Sequence, residues 1–139
     1  LCEGSFGLLG QGEDPVEQPL AILRNIARCL APGAPALMTV LNAARMIRLY
    51  NNEDVSAGRF DPVALVESYE FSPREGHPPI PARERAFVAT EMRLLCAVAG
   101  LEVLHIWGGT AGNWGRRPID LDEYEIMLVL RKAASSSQT

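Results

Sequence analysis

The sequence predicts an α/β fold, a sheet whose strands alternate with helices. Three observations carry that prediction. Amphipathic helical patterns alternate with short apolar runs along the chain, as they do where right-handed crossovers link parallel strands. The apolar run ALMTVL at 36–41 is bounded by Ala34-Pro35 and Asn42 and suits a strand buried on both faces. The last two strand patterns have no helical pattern between them, so the final strand is expected to pair antiparallel.

The elements follow in order. Residues 4–13, GSFGLLGQGE, read as a glycine-rich loop after a strand ending at Leu1-Cys2-Glu3. A helix is predicted over about 15–30, with Leu20, Leu23, Ile26, Ala27 and Leu30 at helical spacing. Its regular part is expected to begin at Pro19, because proline is tolerated in the first turn, and Ala31-Pro32-Gly33 ends it. After the 36–41 strand comes a helical stretch around 43–50. Residues 51–81 are less regular, with Val66 to Phe71 strand-like and Arg83 to Val88 its partner across the SPREGHPPIP turn. Thr90 is expected to cap a helix over 91–99 that stops at Gly100. Leu101 to Trp107 reads as a strand. The loop GGTAGNWGRRP then leads to the last strand, Tyr124 to Leu130 or Arg131. The tail AASSSQT at 133–139 has little apolar surface to bury and is expected to be disordered.

The 139 residues allow one domain at most. Hydrophobic residues at 47% and charged residues at 22% are ordinary for a globular protein. A net charge of −4 speaks against a nucleic-acid grip built on counterion release. No apolar run approaches the length of a membrane span. Cys2, Cys29 and Cys96 form no C-x-x-C pair, and His77 and His105 are far apart, so no metal site is expected. Cys29 and Cys96 fall in helical apolar patterns and read as buried free thiols in a reducing compartment, the cytoplasm. The opening Leu1-Cys2-Glu3-Gly4 has neither an initiator Met nor a signal-peptide pattern, and the chain reads as a fragment.

At this point the chain resembles the C-terminal half of a class I S-adenosylmethionine-dependent methyltransferase. The stretch Leu1 to Gly7, LCEGSFG, resembles the end of that family's fourth strand and the loop after it. Ile22 to Gly33, ILRNIARCLAPG, resembles the following helix with its R-x-L-x-P-G-G ending, Ala34 replacing the last glycine. Ala36 to Leu41 matches the fifth strand, and Glu91 to Val103, EMRLLCAVAGLEV, resembles E-L-x-x-L-L-x-x-A-G-F-x-V. Tyr124 to Lys132, YEIMLVLRK, resembles the terminal antiparallel strand. The resemblance implies a Rossmann-like sheet whose N-terminal strands are absent here. Residues 1–132 would form the C-terminal part of the domain, with an insert at about 43–88. The family's glycine-rich cofactor loop and its ribose-binding acidic residue have no counterpart in the sequence. A chain lacking them is expected to be weakly stable and inactive by itself.

What the resemblance implies about function is methyl transfer from S-adenosyl-L-methionine to a small-molecule acceptor. Ligands of such sheets bind at the ends of the parallel strands. Gly4, Ser5 and Phe6 then stand beside the cofactor, with Phe6 packing on it, and Glu3 orients or deprotonates the acceptor; the plainer reading is a tight turn with a buried Phe. Asn42 closes the next strand, as a contact to the acceptor or as a strand-end cap. Tyr69, Arg83 and Arg85 in the insert are candidates for the acceptor wall, or members of a solvated hairpin. Trp114 and Arg116 are candidates for a lid, and His105 reads as a core or rim histidine. An α/β-hydrolase reading of Ser5 and His105 is weakened by Glu3, which is too large for the residue two before an elbow serine. A non-catalytic half-domain that binds a partner, or a second copy of itself, through an exposed sheet edge is the other alternative.

Overall fold

The computed structural model describes residues 6–133. In chain order the elements are β1 (Leu8–Leu9), α1 (Glu17–Cys29), β2 (Pro35–Leu41), α2 (Ala43–Leu49), α3 (Asn52–Ser56), β3 (Phe60–Asp61), β4 (Val66–Phe71), β5 (Ile80–Arg85), α4 (Ala89–Val98), β6 (Leu101–Thr110), β7 (Asn113–Trp114) and β8 (Glu125–Lys132). They form two four-stranded sheets, one ordered β2-β8-β6-β7 and the other β1-β5-β4-β3. In the first, β8 is antiparallel to both β2 and β6, so β2 and β6 run parallel to each other.

The period-2 pattern of β8 explains why the first sheet folds as it does. Ile126, Leu128 and Leu130 are fully buried and share a core with Met38 and Val40 of β2, Leu20, Leu23 and Ala27 of α1, and Met92, Leu95 and Cys96 of α4. Both helices thus pack on one face of the sheet. The opposite face carries Leu37, 62% exposed, with Val129, Met127, His105 and Trp107 at the matching register positions. The expectation that 36–41 is buried on both faces therefore fails for Ala36 and Leu37; only Met38 to Leu41 is buried throughout. In β6 a bulge between Val103 and His105 shifts the register by one residue. It keeps Ile106 on the helix-covered side and turns His105 onto the open face, where its ring stacks on Trp107 at 5.0 Å.

Several boundaries move for local reasons. Helix α1 begins at Glu17, two residues before Pro19, because Asp14 Oδ1 accepts from the backbone N–H groups of Val16 and Glu17 at 2.8 and 2.9 Å. Pro19 then sits in the first turn, where its missing donor has no helical partner to lose. Cys29 proves exposed; Cys96 is the buried thiol. Helix α4 begins at Ala89 with Val88 at its N-cap and no side-chain cap, so Thr90 lies inside the helix. Gly100 does stop it, at φ +80°. The 4–13 loop contains β1, and the irregular 51–81 region contains α3 and β3.

The insert supplies β3, β4 and β5 of the second sheet, and β1 pairs onto β5. Phe71 pairs with Ile80 and Val66 with Arg85, so the strand opposite β4 is Ile80–Arg85 rather than 83–88. Phe87, past its end, instead donates its N–H to Leu41 O at 2.9 Å and accepts from Ala43 N at 3.0 Å. That pair of bonds fastens the return of the insert to the end of β2.

Candidate functional site

The carboxyl end of β2 is where the two sheets meet. Asn42 ends the strand and caps α2, its Oδ1 accepting from Ala44 N at 3.1 Å. Its Nδ2 donates to Glu123 O at 2.9 Å and to Asp120 O at 3.2 Å, which ties the loop before β8 to the same point. Tyr124 is thereby held beside the helix, and the Arg45 guanidinium lies over its ring at 4.6 Å. A cavity of about 130 Å³ opens here, lined by Leu41, Asn42, Arg45, Met46, Leu49, Glu67 and Tyr124. A second, of about 270 Å³, shares Arg45 and Leu49 and adds Arg48, Leu121 and Asp122.

The sheet of the insert supplies one wall. Glu67 and Glu84 lie directly opposite each other on β4 and β5, an arrangement that destabilises two charges of one sign. Each carboxylate accepts from a tyrosine: Tyr50 Oη donates to Glu67, and Tyr69 Oη donates to Glu84 at 3.3 Å. Burial, and then the Glu67 charge, raise the Glu84 carboxyl above its ordinary pKa, with the Tyr69 hydrogen bond pulling the other way. Burial, followed by the Glu84 and Glu67 carboxylates and Tyr124, raises the Tyr69 phenol. The Tyr50 ring is stacked on Phe60 at 4.7 Å, and burial and Glu67 raise its phenol too.

The residues expected from sequence divide accordingly. Asn42 lines the cavity, yet both ends of its carboxamide are engaged in the chain's own bonds, so it acts as a cap and a strap. Tyr69 stands on the same sheet face as Glu67 but lines neither cavity, its hydroxyl donating to Glu84. Arg83 and Arg85 are not acceptor wall. Arg83 Nη1 donates to the carbonyls of Gly10 and Glu13 at 3.3 and 3.5 Å. Arg85, 4% exposed, donates to Ala64 O at 3.0 Å and Pro15 O at 2.5 Å and pairs with Glu91; it is a buried strut. Phe6 is fully buried against Phe87, ring centroids 5.1 Å apart, so its ring belongs to the core and offers no face to a cofactor. Glu3, Gly4 and Ser5 lie outside the described residues.

Trp114 and Arg116 line neither cavity. A Cβ on Gly109 would meet the Trp114 ring at 2.3 Å, and one on Gly108 would meet Glu123 at 2.6 Å, so these glycines let the hairpin close on itself. Arg116 lies over the Trp107 ring at 5.6 Å, on the open face of the sheet. Sequence reasoning missed Arg45, Met46, Leu49, Glu67 and Tyr124. A signal was there: Arg45 and Arg48 follow Asn42 at helical spacing, and Tyr124 directly precedes the last strand.

No protein-family model matches the chain, and no curated protein sequence matches it. Solved structures do. The chain is similar to the CcbJ methyltransferase from Streptomyces caelestis, with 26% identity and a TM-score of 0.64 over 92% of this chain and 56% of that one. The fold is that of a methyltransferase half-domain. The half-domain is also similar to an S-adenosylmethionine-dependent methyltransferase from Clostridium acetobutylicum ATCC 824, at 11% identity and a TM-score of 0.62 over 96% of this chain. It spans 56% of the length of each.

The described residues do not fit S-adenosylmethionine. A cofactor cradle needs backbone that a ligand can approach closely. Gly7, Gly108 and Gly109, where an added Cβ would collide, are closed by Arg85, Glu123 and Trp114 of the half-domain itself. Among the described residues there is likewise no group of His, Cys, Asp or Glu able to hold a metal and no helix long and apolar enough to cross a membrane.

Proposed function

We propose that the chain forms the acceptor side of an S-adenosylmethionine-dependent methyltransferase acting on a small molecule. The observation that carries this reading is the likeness to the CcbJ methyltransferase over 92% of the chain. The cleft position supports it, since open α/β sheets bind ligands beyond the carboxyl ends of their parallel strands, and the cavity starts where β2 ends. In this reading β2, β6 and β8 are the fifth, sixth and seventh strands of the family's sheet.

The donor, when bound to the complete enzyme, supplies a methyl group on a sulfonium. Alignment and exclusion of water are then the protein's main tasks. Leu41, Met46, Leu49 and Tyr124 give the acceptor an apolar seat, and the Asn42 strap fixes Tyr124 in it. Glu3 remains our assignment for orienting or deprotonating the acceptor, with Gly4 and Ser5 beside the donor. A cytoplasmic location fits this reading. The test is transfer of labelled methyl from S-adenosylmethionine by the chain and by the chain extended upstream in its reading frame. Transfer by the extended protein is expected. An extended protein that neither binds S-adenosylhomocysteine nor transfers methyl overturns the proposal.

A second reading is favoured by one feature. The sheet face that carries the exposed Leu37 side chain and the His105–Trp107 stack suits a half-domain that docks on a partner or a second copy. Light scattering and S-adenosylhomocysteine binding, both on the extended protein, separate the two: a stable dimer that does not bind S-adenosylhomocysteine supports docking.

A further inference from the structure

The larger cavity carries a charge pattern that the methyl-transfer reading does not explain. Arg45 and Arg48 are three residues apart on α2 and therefore neighbours on one face of it; both line the 270 Å³ space. Arg45 enters no ion pair among the described residues. Its guanidinium stacks on Tyr124, a contact made through the plane of the group, which leaves the in-plane N–H donors available. Arg48 pairs with Asp122 at 2.5 Å, but the two side chains are 51% and 83% exposed, so the contact is weak and replaceable. That pair also demonstrates that a carboxylate fits at this place. The space opens through Arg45 and Leu49 onto the apolar seat formed by Leu41, Met46 and Tyr124.

We propose that Arg45 and Arg48 form a carboxylate subsite, and that the acceptor is a small molecule with an apolar body and a carboxylate tail. The tail takes the place of Asp122 on Arg48 and adds bonds from Arg45, while the body lies against Tyr124. The inference rests on the acceptor reading of this cleft, which it deepens by naming the ligand class.

The test is titration of the chain at low salt with 3-phenylpropionate, followed by calorimetry and by NMR of the arginine Nε–H resonances. The alcohol 3-phenylpropan-1-ol, the amine 3-phenylpropylamine and phenyl phosphate serve as comparators. The acid is expected to bind about fivefold more tightly than the alcohol, as two partly exposed ion pairs allow, and the amine least. Arg48→Gln, an exposed change, and Arg45→Gln should each reduce that preference. Asp122→Asn should strengthen the acid about threefold by freeing Arg48 and leave the alcohol unchanged. Failure of the acid to bind, equal binding of acid and alcohol, indifference to all three substitutions, or tighter binding of phenyl phosphate overturns the proposal. No donor enters these titrations, so the subsite and the methyl-transfer reading fail separately: acid binding without transfer removes the latter, and transfer without acid preference removes the former.

Discussion

Replacing Asn42 tests whether one carboxamide holds the cleft together. Asn42→Ala removes the α2 cap, for which such a change costs about 1 kcal/mol. It also leaves the carbonyls of Glu123 and Asp120 without the donors that now reach them at 2.9 and 3.2 Å. Asn42 is 4% exposed, so water replaces those donors poorly, and each loss costs about 1 kcal/mol. The expected destabilisation is about 3 kcal/mol, a drop of roughly 10 °C in Tm for a chain of this size. Urea unfolding and calorimetry read it directly. Asn42→Ser keeps an oxygen for Ala44 N but cannot span to the loop, so it should fall between wild type and Ala. Asn42→Asp keeps the cap and points negative charge at two carbonyls, so it should be worse than Ser. A loss below about 1 kcal/mol for Ala, or Asp as stable as wild type, would refute the strap.

Three further outcomes follow from the structure. Arg85→Met should destabilise by about 3 kcal/mol, and Arg85→Lys should recover little of it, because an ammonium cannot reach Ala64 O, Pro15 O and Glu91 together as the guanidinium fork does; urea midpoints decide. Glu84 holds its proton to higher pH folded than unfolded, so its contribution favours folding below its ordinary value of 4.5 and is lost as pH rises through the raised folded value. Glu84→Gln should therefore raise Tm near pH ~7 and leave it unchanged near pH ~3, which thermal melts at the two pH values check. Burial pushes the Cys96 thiol up to about 12, so iodoacetamide on the native chain should modify Cys29 and spare Cys96 until urea unfolds it, read by peptide mass spectrometry.

Strands β2, β6 and β8 were legible because they are short apolar runs; β7, inside the loop GGTAGNWGRRP, was not. The antiparallel ending followed from the missing helix between 107 and 124. What the sequence hid was mostly a matter of what each polar group was already bonded to. Arg83 and Arg85 look like free cations on a hairpin, yet β1 and the α1 entry bring backbone carbonyls to both. That β1 exists is not apparent from GSFGLLGQGE, since two residues pair there only because β5 passes alongside. Asn42 was read correctly as standing at the strand end. Its double use depends on the 120–124 loop, eighty residues away, and no local pattern announces that. Cys29 was misplaced because Cys is counted among apolar residues, although α1 buries Leu23 and Ala27 and leaves Cys29 outside.

The less covered face of the first sheet bears on what this chain can do by itself. Sheets reached by crossover helices ordinarily have both faces covered, whereas here α1 and α4 occupy one face and the other presents Leu37 with the His105–Trp107 stack. The bulge in β6 matters in this light: by turning His105 outward it makes the open face less apolar, and Arg116 over Trp107 does the same. The insert, by contrast, packs Ala43, Met46, Phe60 and Ala86 into a small core with Leu41 of β2, and Phe87 is bonded to Leu41. The cleft lies between the insert and the well-packed end of β2, where Thr39 Oγ1 donates to the buried Glu125 at 2.9 Å. Completing the sheet on its far face would therefore add stability without rebuilding the cleft. On the proposed reading, the cleft is expected to keep its shape and its ligand preference in the isolated chain.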